Sequence, residues 1–453
     1  MVIAFNKIKT NTYKLAKISG MKAEAVFYAK GKILNSLGSD LSLQQLQEAA
    51  MLPGVISPVI GMPDIHQGFG LPIGGVMATD GLISVGAVGM DINCGVRLLL
   101  SNLTYKENQF SPNKLQLLVH QIEKLIPVGL GGKHKNRINL SLERVCEQGV
   151  EYLVKEGFTP KKDLDNIEEY GRMQEADFSA LTDRAKERTI KQLGTLGSGN
   201  HFIEIQKVEE ILDDALAQEW GISQDQICLM IHSGSRALGH QTCNDYTNIF
   251  WKARTKYKIE IPRIGLASLP IETAEGKKYF GAMSACVNFA FCNRAMMTYF
   301  IRQIFKKNFN TQLDLLYDVA HNIAKWEIHR GKKMLIHRKG ATRALPGFPA
   351  IVPGSMGTAS YVMVGLAKNE ETFASINHGA GRLMSRGEAR RTIKKDRFDS
   401  QMQNIVYNKP FQLISDEAPD AYKDIEEVID TLVEIGLTKK VAKLKPLAVI
   451  KGN

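Results

Sequence analysis

Residues 61 to 97 read GMPDIHQGFGLPIGGVMATDGLISVGAVGMDINCGVR and contain nine glycines. Ordinary strands carry far fewer, so the backbone here must turn sharply, or approach something closely, at several points. Within this stretch the apolar runs at 82 to 88 and 96 to 100 have the length of strands. Outward from it, similar runs lie at 202 to 205, 227 to 231, 315 to 320, 334 to 336 and 361 to 365, nearly all beside Gly, Ser, Asn or His. Between them, helical periodicity is clear at Leu115, Leu118, Ile122 and Leu125, around Leu140 to Val154, and over 279 to 305. The pattern predicts a mixed α/β (α+β) fold. Residues 1 to 50 and 400 to 440 are the least informative and read only coarsely as helix.

Length alone, at about 150 residues per domain, suggests two to three domains. No Ser/Pro-rich linker, low-complexity tract or internal repeat divides the chain, however, and its polar clusters are scattered from residue 64 to the C-terminus. One catalytic domain spanning residues 1 to 453 fits this better. Lysine and arginine exceed aspartate and glutamate by 58 to 47, which suits a polyanionic partner. Residues 329 to 345 hold Arg330, Lys332, Lys333, Arg338, Lys339 and Arg343 with no acidic residue among them, which predicts a local positive field. The six cysteines lack a repeated CxxC spacing, so neither a disulfide framework nor a zinc ribbon is indicated and a reducing compartment fits. The start shows no signal-peptide core. The apolar stretch from Tyr279 to Phe305 is broken by Asn288, Asn293, Arg294 and Arg302, and so reads as a buried helix of a cytoplasmic protein, not a membrane span.

Asp91 and Cys94 stand three apart in a Gly-bounded turn, where both side chains can converge on one metal. The turn could equally be a tight connection with an inert cysteine. Three histidines share its setting at strand ends beside small residues: His201 in GTLGSGNHFIEIQ, His232 in CLMIHSGSR and His321 in LLYDVAHN. One such histidine is usually a core or turn residue. Three, together with an aspartate and a cysteine, are better explained by one centre. Carboxylate, thiolate and imidazole suit a divalent transition metal, and a thiolate can bridge two ions; ligand type alone allows Mn, Fe, Co or Zn.

His378 begins a glycine turn, HGAGR, followed by Arg382 and a basic helix start. Backbone N–H groups there can bind phosphate, with arginine as a clamp. A neutral imidazole could also attack a nucleoside triphosphate and hold the nucleotide as a phosphoramidate, or the turn could bind an anion without covalency. HRKGATRALPG from His337, VPGSMGTASYV from Val352 and the terminal Lys451 are further phosphate-type segments or solvated loops. The GK pairs at Gly31, Gly132, Gly276 and Gly331 lack a following Ser or Thr, and no Lys-x-Asp-Gly occurs. If a nucleotide is activated here, neither a P-loop nor a lysine nucleophile of that type does it.

GMPDIHQGFG, GMDINCGVR, GTLGSGNHF, HSGSRALGHQ, DVAHN, HRKGATRA, PGSMGTASY, HGAGR and the terminal IKG together resemble the ordered motif set of the RtcB family of GTP-dependent RNA ligases, across residues 61 to 452. Departures such as Ala237 fall at non-ligand positions. The resemblance implies an α/β fold peculiar to the family with two Mn(II) ions in a deep cleft. It implies Asp91, Cys94 and His201 as ligands of one ion and Cys94, His232 and His321 as ligands of the other. It makes His378 the catalytic residue that becomes guanylylated. The implied GTP site takes in Asn200, His201, Phe202, Ile203, Glu204, His321, Asn322, Pro353, Gly354, Ser355, Met356, Ser360, His378, Gly379, Ala380, Gly381 and Lys451. Asp64, His66 and Gln67 match a motif near the active site without separable roles, and the GLGGKHKN loop from Gly129 could bind RNA phosphate or be a surface loop.

The activity so implied joins an RNA 3′-phosphate, or a 2′,3′-cyclic phosphate opened first, to a 5′-hydroxyl in tRNA splicing or RNA repair. The small protein archease often assists the family. Two rival classes are a metal-dependent RNA phosphodiesterase and a non-catalytic RNA-binding homologue. The first has no use for His378 in HGAGR, and the second would tolerate loss of ligands; both constellations are complete here.

Overall fold

Two antiparallel-dominated sheets carry the chain in a computed structural model, which describes residues 3–38, 40–134 and 138–452. Lys135 and Asn136 of the GLGGKHKN loop lie outside the described residues. In the first sheet the strand order is Phe5–Lys9, Thr12–Leu15, Ala25–Tyr28, Val55–His66, Ile73–Thr79, Lys332–Lys339 and Asn322–His329. Its pairings are antiparallel except between Ala25–Tyr28 and Val55–His66. The second sheet runs Leu313–Ala320, Gly95–Thr104, Gln226–Ser233, Phe202–Ile211, Thr438–Lys451, Ser360–Gly365 and Pro349–Val352, antiparallel throughout, with the short Val406–Tyr407 parallel to Thr438–Lys451. The mixed α/β class is as the sequence predicts.

The second sheet is buried on both faces, which explains its unbroken apolar runs. Along Gly95–Thr104, Leu99 and Leu103 enter one core while Val96, Leu98 and Leu100 enter another; along Gln226–Ser233, Ile227, Leu229 and Ile231 alternate with Cys228 and Met230 in the same way. The first of these cores packs against the 36-residue helix Ala274–Phe309. Thr273 caps that helix by accepting a hydrogen bond from the Gly276 amide, Glu275 sits in its first turn and Lys306 and Lys307 in its last, and Asn310 ends it in the left-handed region. Phe289, Phe291 and Met296 are fully buried along it, and truncating either phenylalanine to alanine should cost about 3–5 kcal/mol. No helix among the described residues is long and apolar enough to cross a membrane.

Three sequence expectations need correction. The first 28 residues contain three strands, where a coarse helix was expected. These short segments are held by pairing with one another and, through Ala25–Tyr28, with Val55–His66, a longer-range choice that local pattern does not reveal. The run 82 to 88 splits into the strand Leu82–Ser84 and the helix Val85–Val88, because its partner Ser268–Pro270 pairs only as far as Ser84. The helical stretch from Leu140 to Val154 is two helices, Leu142–Gln148 and Val150–Lys155. They break at Gly149, whose φ of 57° and closeness to the Gly171 carbonyl leave no place for a side chain.

Candidate metal centre and nucleotide cavity

Strand register assembles the site. Ala320 pairs with Gly95, Val96 with His232, and His232 with Phe202. Cys94, His201, His232 and His321 therefore emerge at one end of four adjacent strands. Lys451, paired with Phe202, joins them from the C-terminal strand.

At this end Cys94 Sγ lies 3.3 Å from His201 Nε2 and 3.2 Å from His232 Nε2. His232 Nε2 is 3.3 Å from His321 Nε2, and His201 Nε2 is 2.7 Å from Asp91 Oδ2. Ligand atoms of Cys94, His232 and His321 lie within 4.8 Å of one another, as do those of Asp91, Cys94 and His201. Burial holds His232 and His321 well below the usual imidazole range, so both are neutral lone-pair donors. Burial, reinforced by Asp91, pushes the Cys94 thiol well above its range. Only a cation would make its thiolate the stable form. One thiol, one carboxylate and three imidazoles, with the sulfur common to both triplets, fit two divalent transition ions.

His378 faces this cluster, its ring centroid 4.8 Å from that of His321. The fully buried Asp64 orients it: Asp64 Oδ2 accepts from His378 Nδ1 at 2.6 Å and from the His378 amide at 3.0 Å. With the proton on Nδ1, the Nε2 lone pair is free to act as a nucleophile. The HGAGR turn wraps Asp64 so tightly that a Cβ on Gly381, at φ 73°, would lie 2.2 Å from the Asp64 carbonyl oxygen. A single cavity of about 320 Å³ touches His378, Asp91, Cys94, His232 and His321. Asn200, Phe202, Asn322, Pro353, Gly354, Ser355, Met356, Gly379, Ala380, Gly381 and Lys451 also line it. Both sheets contribute, the first through His66, Ile73 and Lys339.

The model of the family described as tRNA-splicing ligase RtcB matches residues 45–452. A tRNA-splicing ligase RtcB from Methanococcus maripaludis is 44% identical, over 98% of this chain and 99% of its own length. Proteins of the same name from Thermococcus kodakarensis and Nanoarchaeum equitans are 42% and 40% identical, covering 95% and 100% of both chains. This chain belongs to the RtcB family.

Several expected GTP-site residues of this RtcB-family chain sit off the cavity wall. Ile203 is in the core, and Ser360 accepts from the Gly354 amide at 3.1 Å and from Gln206 Nε2 at 3.1 Å, holding the Pro353–Gly354 turn. Asn322 lines the cavity but is also a pin: its amide donates to the Asp91 carbonyl at 3.0 Å and its carbonyl oxygen accepts from the Gly340 amide at 2.8 Å. Glu204 is buried beside Lys451, with one carboxyl oxygen bonded to Gln206 and the other unpartnered. Burial raises its carboxyl to about 8. Lys451, not Glu204, lines the cavity, and its buried ammonium suits a polar group with an acceptor there.

Behind the two triplets, the helix Ala274–Phe309 clamps the segments that bear their residues. Arg294 donates to the carbonyls of Asn93 and Ser233 at 2.8 Å each and to Asp318 Oδ1 at 2.9 Å, while Asn293 accepts from the Gly194 amide at 2.7 Å. These polar interruptions of an apolar helix were visible in sequence, but not their task. Glu417 and Tyr422 were missed altogether. Both line the cavity; Glu417 pairs with Arg382 at 3.1 Å and Lys451 at 3.4 Å. They come from an acidic stretch, ISDEAPDAYKD, that looks like solvated surface.

Proposed function

We propose that this chain is an RNA ligase that uses GTP and two Mn(II) ions to join an RNA 3′-phosphate, or a 2′,3′-cyclic phosphate, to a 5′-hydroxyl. The observation that carries the reading is the pairing of His378 with Asp64 in the same cavity as the two ligand triplets. A phosphodiesterase or a passive RNA-binding homologue has no need of an oriented imidazole there. Asp91, Cys94 and His201 would hold one ion, and Cys94, His232 and His321 the other. When bound, the ions supply charge neutralisation for phosphates and lower the pKa of a hydroxyl.

His378 Nε2 attacks the α-phosphorus of GTP, the bond to the bridging oxygen breaks, and pyrophosphate leaves. Asp64 keeps the Nδ1 proton in place and offsets the positive charge that the imidazole gains. Asn200, Phe202, the Pro353–Met356 turn, Gly379–Gly381 and Lys451 would embrace the guanosine, with Glu204 supporting Lys451. The RNA 3′-phosphate then takes the guanylyl group from His378, and the 5′-hydroxyl of the partner end displaces GMP. We place the activity in one catalytic domain, in the cytoplasm, on tRNA or damaged RNA, with archease as a candidate helper; the six buried, unpaired cysteines fit a reducing compartment.

Incubation with α-labelled GTP and Mn(II) tests this. The wild type should acquire a covalent label that is acid-labile and base-stable, as a phosphoramidate is, and His378→Ala should acquire none while keeping its metals. Label on the Ala variant would move the nucleophile elsewhere.

A further inference from the structure

Beside the His378 cavity lies a second hollow of about 720 Å³, whose walls include Ile65, Gln67, Leu383 and Lys423. The two share His66, Phe69, Arg382 and Arg386, so they adjoin, with these residues as the threshold between them. Neither the metal centre nor the guanosine site uses the second hollow. Its volume is within the roughly 300–1,000 Å³ of small-ligand sites.

The threshold chemistry restricts the occupant. His66 Nδ1 donates to the Asp64 carbonyl at 2.9 Å, which leaves Nε2 as an acceptor with no protein partner among the described residues. Burial holds this imidazole down to about 4, so it is neutral. The nearby cations are engaged. Arg382 donates to Glu417 and to the carbonyls of Met384 and Asp416. Lys423 donates to the carbonyls of Pro63 and Ile65, and Lys339 to those of Phe69 and Gly86. Most of their N–H donors are thus already turned to the protein, and Asp40 and Glu388 line the same hollow, so a terminal phosphate dianion would have to break these bonds and face two carboxylates, whereas an uncharged hydroxyl finds an acceptor. Further out, Arg386 is half exposed and only loosely paired, 3.7 Å from Glu417. Phe69 and Leu383 present 37% and 50% of their surface to solvent, an aromatic and an aliphatic plate on the rim.

We propose that this hollow seats the first nucleosides of the RNA strand that presents its 5′-hydroxyl, with a base stacked on Phe69, a hydroxyl donating to His66 Nε2 and a phosphodiester facing Arg386. The proposal rests on the ligase reading and adds to it a site for one of the two strands.

Fluorescence anisotropy with the full chain at fixed salt tests it, using three labelled RNA octamers: one with a 5′-hydroxyl, one with a 5′-phosphate, and one with a 3′-phosphate labelled at its other end. The wild type should favour the 5′-hydroxyl over the 5′-phosphate octamer several-fold. Phe69→Ala should weaken the 5′-hydroxyl octamer roughly tenfold, the loss of one stacked base, while the 3′-phosphate octamer changes less than twofold. Equal loss for both strands, loss confined to the 3′-phosphate strand, or no loss would each overturn the assignment. Labelling of the wild type by α-labelled GTP separates the two failures. If it labels while Phe69→Ala binds normally, only the hollow is misassigned; if it neither labels nor binds RNA, the ligase reading falls and takes this one with it.

Discussion

One sulfur, Cys94 Sγ, belongs to both ligand triplets, whereas His321 belongs to one. Cys94→Ala should therefore lose both Mn(II) ions, and His321→Ala mainly one, by elemental analysis after gel filtration. Two tightly held ions in Cys94→Ala would refute the shared ligand. Glu204 offers a different residue-scale test. Its carboxyl ionises near 4.5 in an unfolded chain and near 8 when folded. The folded state thus holds this proton more tightly, so Glu204 costs nothing below about pH 4.5, and stability falls as pH rises from there to about 8. Glu204→Gln removes that decline. Measured without nucleotide by denaturant unfolding, its advantage over wild type should grow between pH 5 and pH 8.5, by an amount on the order of a few kcal/mol. A constant difference would mean that Glu204 is ionised throughout.

Basic segments that look alike in sequence part company as elements. In the 329 to 345 run, Arg338 is fully buried and donates to Glu327 at 2.9 Å, Arg343 pairs with Glu168 and Glu169, and Lys339 bonds to backbone carbonyls. The positive field expected there is largely neutralised by internal partners; Arg330, Lys332 and Lys333 are its exposed remnant. The helices Arg386–Thr392 and Lys395–Gln401 and their junction instead expose Arg386 at the cavity, Arg391 and Lys394, along with Arg390, Lys395 and Arg397, which pair with Asp416, Asp399 and Asp420 at the surface. RNA affinity should fall steeply with salt, and Arg391→Gln with Lys394→Gln should flatten log K against log salt by roughly 1.4, at about 0.7 per phosphate contact. Lys332→Gln with Lys333→Gln should leave the slope as it was. A wild-type slope near zero would mean that these helices face away from RNA.

At the scale of the whole molecule, two sheets meet at a cavity in which an oriented histidine faces a cluster of aspartate, cysteine and histidines that could hold metal ions. On the proposed ligase reading that arrangement would activate an RNA 3′-phosphate, and the junction phosphate would come from the upstream fragment. An RNA with a radioactive 3′-phosphate should pass its label into a phosphatase-resistant junction with a 5′-hydroxyl partner, given GTP and Mn(II). Joining only to a 5′-phosphate partner, or loss of the label on joining, would reverse the assignment.

The residue types of the aspartate, cysteine and histidine cluster, the glycine turn after His378 and the buried nature of the long helix were all legible in the sequence, because each is a local matter of side-chain chemistry or periodicity. So was the α/β class, since apolar runs and helical periods are written into neighbouring residues. Tertiary structure alone decided which groups meet. Asp64 reaches His378 across more than three hundred positions, and Arg294 finds Asn93, Ser233 and Asp318 only once the helix is docked. It also decided which charges are free: Arg338 and Arg386 are both arginines in basic runs, yet one is buried against Glu327 and the other half exposed at the cavity. Partner choice over such distances depends on strand register and packing, and no local pattern encodes either.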